Sequence, residues 1–344
     1  MKKYGSPGDI NAAVVGYGGA YNMGRTHLQE MRDAGMTPRA VAEIDPSRLE
    51  TAEKDFPGIE KYASVEEMLE KSEADLVAII TPHNSHAQLA LKCLRAGRNV
   101  VCEKPMAITT EECDTMMAAA KENGVMLSAY HNRHWDGGIV RAVEEIKRKN
   151  VIGEIYRIDA HMGGHGQPGD TWRSSRTLAG GILYDWGVHL LEYSFQLITS
   201  RLVEVSGYAK WGYWAQKTAW KHDAIEDESA AVLRFEDGTW LTLTLTHIDS
   251  NPRPSWMEVF GTEGAYSWAG DEYTLIKHSG GVSRTEKGRN PKGESYRYYQ
   301  NVAAHLTQGE KLTIDAEWSR RPIHAIDLAV QSAKQGRGLP AKYG

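Results

Sequence analysis

Apolar residues change their spacing partway along this chain. From Ala12 to Tyr130, short unbroken apolar runs alternate with stretches in which apolar residues recur three and four apart. Unbroken runs of strand length read as strands buried on both faces of a parallel sheet, and the three-four spacing reads as amphipathic helix. The runs fall at Ala12–Val15, residues 39–45, Lys61–Ala63, Asp75–Thr81, Asn99–Cys102 and Val125–Tyr130. Helices are predicted at Met23–Ala34, closed by Gly35, at Pro46–Lys54, at Ser64–Lys71 with Ser64 and Glu67 as a capping box, and at Ala87–Ala96, closed by Gly97. Thr109 caps a further helix that ends near Gly124. This alternation predicts a doubly wound parallel sheet.

After Asp136 the period changes. Leu241, Leu243 and Leu245 alternate with Thr242, Thr244 and Thr246 within Thr239–His247, behind an Asp237-Gly238 hairpin turn. Further strands are expected at Glu154–Met162, Leu202–Lys210, Ser229–Phe235, Met257–Gly261, Ala265–Ala269 and Tyr273–His278. Helices are expected at Ile139–Lys149, Gly181–Ile198 and Pro322–Lys334, and a mobile loop at 279–295. The fold class is therefore α/β, with an N-terminal Rossmann-type domain over 8–131 and a C-terminal α+β domain over 132–344. The second domain carries a large, mostly antiparallel open sheet, and its last helix is free to pack back on the first domain.

Composition sharpens this division. All ten tryptophans lie at or after Trp135, and flat aromatic faces suit sugar rings, core filling or subunit contacts alike. A net charge of −5 gives no basic footprint for nucleic acid or for an acidic membrane surface. No apolar run approaches the ~20 residues of a membrane span. No signal sequence precedes the first strand, so a cytoplasmic location is expected. The three cysteines, Cys93, Cys102 and Cys113, lack metal-ligand spacing, so reduced thiols and no metal are expected.

Chemistry-bearing residues gather at strand ends, where ligands of such sheets bind. Val14-Val15 runs into Gly16, Gly18 and Gly19 and then a helix, an arrangement that cradles phosphate or serves as a plain tight turn. Glu43 ends the second strand, where an acidic group accepts hydrogen bonds from the adenosine ribose, favouring NAD over NADP; Arg48 stands nearby. Lys104 follows the fifth strand, placed either to polarise a substrate oxygen or as a turn lysine. Asp185 and His189, four apart in an apolar helix, are a general base with a carboxylate partner or a helix-surface pair.

Taken together, Gly16-x-Gly18…Gly24-Arg-Thr-His27, Thr81-Pro82-His83-Asn84-Ser85-His86, Glu103-Lys104-Pro105 and the stretch from Gly180 to His189 resemble the successive motifs of the glucose–fructose oxidoreductase and inositol dehydrogenase family (Gfo/Idh/MocA). The resemblance implies NAD(P)-dependent oxidation or reduction of a sugar, polyol or derivative, with Lys104, Asp185 and His189 catalytic. It implies cofactor contacts from Gly16, Tyr17, Gly18, Tyr21, Asn22, Met23, Glu43, Thr81, Pro82, His83, His86, Glu103 and Lys104. It also implies homo-dimers or tetramers built through the C-terminal sheet.

Two departures stand out. Five residues separate Gly18 from Gly24, and His83 stands where the family has Asn. The segment Asn132–Asp136 resembles the family's N-R-R-F-D, which makes Asn132 and His134 candidate substrate contacts beside His161, His165, Trp172 and Arg173. A glycoside-cleaving enzyme using transient oxidation by NAD, and a non-catalytic sugar- or NAD-binding protein, are the alternatives.

Overall fold

In the computed structural model, which describes residues 4–19 and 22–343, the apolar runs of the first half are strands. They are β1 (Asn11–Val15), β2 (Thr37–Ala42), β3 (Glu60–Tyr62), β4 (Leu76–Ile79), β5 (Asn99–Cys102) and β6 (Leu127–Ala129). Among the described residues these form one parallel sheet in the order β3-β2-β1-β4-β5-β6. β4 and β5 are buried throughout, as unbroken apolar strands between two helical layers must be. The order reverses between β1 and β4, which is where such sheets bind ligands.

The chain divides into two units. The first runs to His131 and also takes in Tyr296–Arg320. That returning segment carries a helix, Arg297–Gln308, whose Tyr298, Tyr299, Val302, Ala303 and Leu306 are buried. Ser128 anchors it: its hydroxyl donates to the carbonyl of Ile314 at 2.6 Å and pairs with the Tyr298 hydroxyl at 2.7 Å. The Ala129 N–H donates to Ser319 Oγ at 3.2 Å.

The second unit comprises Asn132–Ser295 and Arg321–Gly344. Its strands are β7 (Ile155–Gly163), β8 (Leu202–Lys210), β9 (Glu228–Phe235), β10 (Trp240–Thr246), β11 (Met257–Gly261), β12 (Gly264–Ala269), β13 (Glu272–Ser279), β14 (Val282–Arg289) and β15 (Leu339–Pro340). They form one sheet in the order β14-β13-β12-β11-β7-β10-β9-β8-β15, antiparallel except where β10 lies parallel to β7. The helix Trp186–Leu197 packs on β7 and β10. Leu243 and Leu245 face it closely enough that a side-chain carbon at Gly187 would stand 3.4 and 3.5 Å from them.

Three expectations change. Residues 279–295 are a loop only from 290 on, because β14 pairs with β13 along its length around Gly280 and Gly281, both at positive φ. β14 is an edge strand that is almost wholly exposed, so it shows no apolar alternation. The helix expected over Gly181–Ile198 is a 3₁₀ turn, Ile182–Tyr184, and then Trp186–Leu197, divided at Asp185, whose backbone stands at φ −86° and ψ −81°. The last helix spans Ala316–Gln335 with Pro322 inside it rather than at its start. Among the described residues no helix is long and apolar enough to cross a membrane.

Candidate active site

In the first unit, β1 ends at Gly16 (φ 88°) and Gly18 (φ 73°), and the helix Met23–Asp33 begins after Asn22, itself left-handed at φ 50°. A side-chain carbon at Gly16 would lie 2.2 Å from the carbonyl oxygen of Ile80, and one at Gly24 would lie 2.7 Å from Tyr17 Cα. Only glycine lets β1, the end of β4 and the helix start approach this closely. The resulting cradle, ahead of a helix whose first N–H groups lack helical partners, fits a dinucleotide pyrophosphate. Tyr21 lies outside the described residues.

Glu43 braces this turn. Its Oε2 accepts from the Tyr17 N–H at 2.7 Å and its Oε1 from the Asp45 N–H at 3.0 Å. Each oxygen keeps a lone pair for a ribose hydroxyl. Arg48 reaches across and donates to the Gly18 carbonyl. Ile44, beside Glu43, is 88% exposed.

Two residues expected at the cofactor have side chains held by protein groups. The Tyr17 hydroxyl donates to Asp55 Oδ2 at 2.8 Å and its ring is buried. His86 is fully buried, with Nδ1 2.7 Å from the Pro105 carbonyl and Nε2 2.8 Å from that of Thr81. It ties together the loops that follow β4 and β5, and burial holds its pKa below the ordinary value. His83 is also buried, its ring 5.7 Å from His86. The Thr81 hydroxyl meets Ser85 Oγ at 2.6 Å.

Beyond β5, Glu103 is gripped on both sides. Its Oε1 lies 3.0 Å from His27 Nε2, and its Oε2 accepts from the Lys104 N–H at 2.9 Å. Burial alone would raise its pKa. The hydrogen bond and charge of His27, together with Lys104, bring it below the ordinary carboxylate value.

In the second unit, Asp185 stands at the N-cap of the helix Trp186–Leu197, four residues before His189. Its Oδ2 lies 3.9 Å from Arg173 Nε, and that guanidinium covers the Trp172 ring at 4.5 Å. One face of Trp172 is thus already occupied. His189 is buried, edge-on to Trp186 at 5.4 Å. Trp186 in turn carries Arg133 at 4.6 Å and meets Trp256 at 5.6 Å. Arg133 donates to Asp136 Oδ2 at 2.9 Å, an oxygen that also accepts the Tyr193 hydroxyl at 2.7 Å.

His134, expected at the substrate, is hydrogen-bonded through Nδ1 to the buried carboxylate of Glu192. It clamps its own 3₁₀ turn, Asn132–Trp135, to the helix. Asn132 lies half-buried in that turn. His161 Nε2 stands 3.2 Å from Asp249 Oδ2, and His165 is exposed, edge-on to Tyr213 and Trp214.

Sequence reasoning missed Arg133, Glu192, Asp249, Trp256 and His247. Burial holds the His247 imidazole below its ordinary pKa, against the opposing charges of Asp227 and Asp185. Its position at the end of the Leu-Thr alternation carried no chemical signal. Among the described residues no group of three or more His, Cys, Asp or Glu side chains could hold a metal.

Comparison with known proteins bears on the family and the fold. Residues 10–131 match the profile described as "Oxidoreductase family, NAD-binding Rossmann fold", and residues 140–267 match "GFO/IDH/MocA C-terminal domain". The chain is 25% identical to scyllo-inositol 2-dehydrogenase (NADP(+)) IolW of Bacillus subtilis, over 97% of this chain and 96% of that protein. The structure of yvaA from Bacillus subtilis superposes with a TM-score of 0.85 at 22% identity, over 99% of this chain and 100% of that one. A levoglucosan dehydrogenase in complex with NADH and levoglucosan superposes with a TM-score of 0.82 at 18% identity, over 97% and 99% of the two chains.

Proposed function

We propose that this chain, which belongs to the Gfo/Idh/MocA family of oxidoreductases, moves hydride between a nicotinamide dinucleotide and a CH–OH carbon of a sugar, polyol or glycoside. The observation that carries the reading is His189, an imidazole buried beside Trp186 in the helix that Asp185 introduces. In the oxidative direction, His189 takes the hydroxyl proton as the substrate carbon becomes a carbonyl carbon. Lys104 offers its ammonium to the charge growing on that oxygen. Asp185 orients the imidazole or the substrate hydroxyl, and Arg173, at 3.9 Å, holds the Asp185 carboxylate in place. Nicotinamide, when bound, supplies the hydride acceptor or donor.

The cradle of Gly16, Gly18 and Gly24 holds the pyrophosphate in this reading, with Glu43 at the adenosine ribose. Glu43 favours NAD through the repulsion a 2′-phosphate would meet, while Arg48 offers the opposing charge. Inositol and anhydrosugar substrates of the relatives support a cyclic polyol or sugar as the substrate class. Self-association through the nine-stranded sheet is supported by the neighbouring aromatics Tyr156 and Trp240, both exposed, with ring centroids 5.8 Å apart; light scattering on the purified chain tests it.

The experiment for the activity is a panel of inositols, hexoses, hexitols and anhydrosugars with NAD⁺ and NADP⁺, followed at the nicotinamide absorbance. At least one should reduce a cofactor in wild type and not in His189→Ala. Equal rates in the two proteins would overturn the reading.

A further inference from the structure

We infer that His27 is a positioning residue for Lys104, acting through Glu103. The inference rests on the reading above, in which Lys104 touches the substrate oxygen. His27 lies in the first turns of the helix after the glycine cradle and is fully buried. One carboxylate joins it to the lysine: Glu103 Oε1 lies 3.0 Å from His27 Nε2, and Oε2 accepts the Lys104 N–H at 2.9 Å. Because Pro105 has no N–H, the amide of Lys104 is the one donor that the Lys104-Pro105 step offers, and Glu103 holds it.

The far side of the imidazole is equally defined. His27 Nδ1 is hydrogen-bonded to the Tyr299 hydroxyl at 2.5 Å. An ionised carboxylate only accepts, so the hydrogen between the ring and Glu103 belongs to Nε2 and points at Glu103. The other groups around the ring complete the enclosure. Tyr130 packs on it at 4.2 Å and donates its hydroxyl to Glu30, Tyr298 meets Tyr130 edge-on at 5.0 Å, and Tyr299 meets His27 edge-on at 5.8 Å. A half-buried carboxylate without its donor would swing toward water, and the peptide bearing Lys104 would lose its brace.

Two substitutions separate this role from mere filling of an aromatic nest. His27→Phe keeps a ring against Tyr130 and removes the donor, whereas His27→Gln keeps an N–H near Nε2 and removes the ring. The primary readout is the hydrogen-exchange rate of the Lys104 amide in the cofactor-free protein. Positioning predicts exchange at least about tenfold faster in His27→Phe and close to wild type in His27→Gln, with Tyr299→Phe shifting in the same direction by less. Packing predicts the opposite order, and that order, or two equal rates, overturns the inference.

With a substrate found in the panel, kcat should fall about ten- to a hundredfold in His27→Phe. NADH affinity, read by fluorescence titration, should stay within about twofold of wild type, and His27→Gln should recover most of kcat. Lys104→Met separates the two claims. If it turns over like wild type, the catalytic reading of Lys104 fails, while amide exchange still decides whether His27 braces the lysine.

Discussion

The guanidinium of Arg133 stands 4.6 Å above the Trp186 ring, and the edge contact of that ring with His189 is at 5.4 Å. Trp186 thus links a cation, itself fixed by Asp136, to the imidazole proposed as the base. His189→Ala should lower kcat by ~10²–10⁴ while NADH binding by fluorescence titration changes little. Loss of cofactor affinity with kcat intact would contradict the assignment. Trp186→Leu should lower kcat about tenfold through loss of orientation alone.

Gly16→Ala should impair cofactor binding. The left-handed conformation alone costs about 1–2 kcal/mol, and the new carbon would stand 2.2 Å from a backbone oxygen of the neighbouring strand. NADH should bind at least about tenfold more weakly, with the melting temperature lowered too. Wild-type affinity in this variant would mean that the turn is not the pyrophosphate cradle.

Stability should fall on mild acidification. Burial depresses the pKa values of His86 and His247 below the ordinary 6.5, so the unfolded chain takes up these protons first. Their contribution is full above about pH 6.5 and is lost as the pH falls through the folded-state values. The slope from each imidazole is at most about 1.4 kcal/mol per pH unit. Urea unfolding at pH 7.5 and 5.5 should show a smaller loss in His86→Gln than in wild type; equal losses would refute the linkage.

Glu192→Leu should destabilise the second unit. The carboxylate is 1% exposed and is bound by His134 and, at 3.1 and 3.2 Å, by Gln196 Nε2. Removing it takes an acceptor from His134 and from Gln196, whose Nε2 keeps the His134 carbonyl at 3.2 Å, and costs roughly 1–3 kcal/mol. A urea midpoint equal to wild type would show the clamp to be idle.

What the sequence made legible follows from physics that acts locally. β4 and β5 were visible because a strand covered on both faces must be apolar throughout, and β10 because one covered face imposes a period of two. β14 left no such trace, since solvent meets nearly all of it. The helix Arg297–Gln308 carries a legible helical spacing in Tyr298, Tyr299, Val302, Ala303 and Leu306.

Side-chain direction was the harder matter. His134 and His86 stood in segments that resemble known motifs, yet each ring is turned onto protein. Glu192, the partner of His134, lies far along the chain, and His86 is fixed by carbonyls that no residue identity announces. Asp185 caps its helix because its own backbone, at φ −86° and ψ −81°, breaks the turn before it from the helix after it, which spacing alone does not reveal.

The parallel-sheet unit is not finished when its sixth strand is made. Ser128, in β6, waits for Ile314 and Tyr298, and His27 waits for Tyr299. During synthesis the ribosome must therefore make β7 to β14 of the second sheet before the first unit can close its core. A gene fragment ending after His131 would release a chain with Ser128 and His27 stripped of these partners, so the dinucleotide-binding half should not be obtainable by simple truncation; it would need residues 296–320 supplied in trans or grafted on.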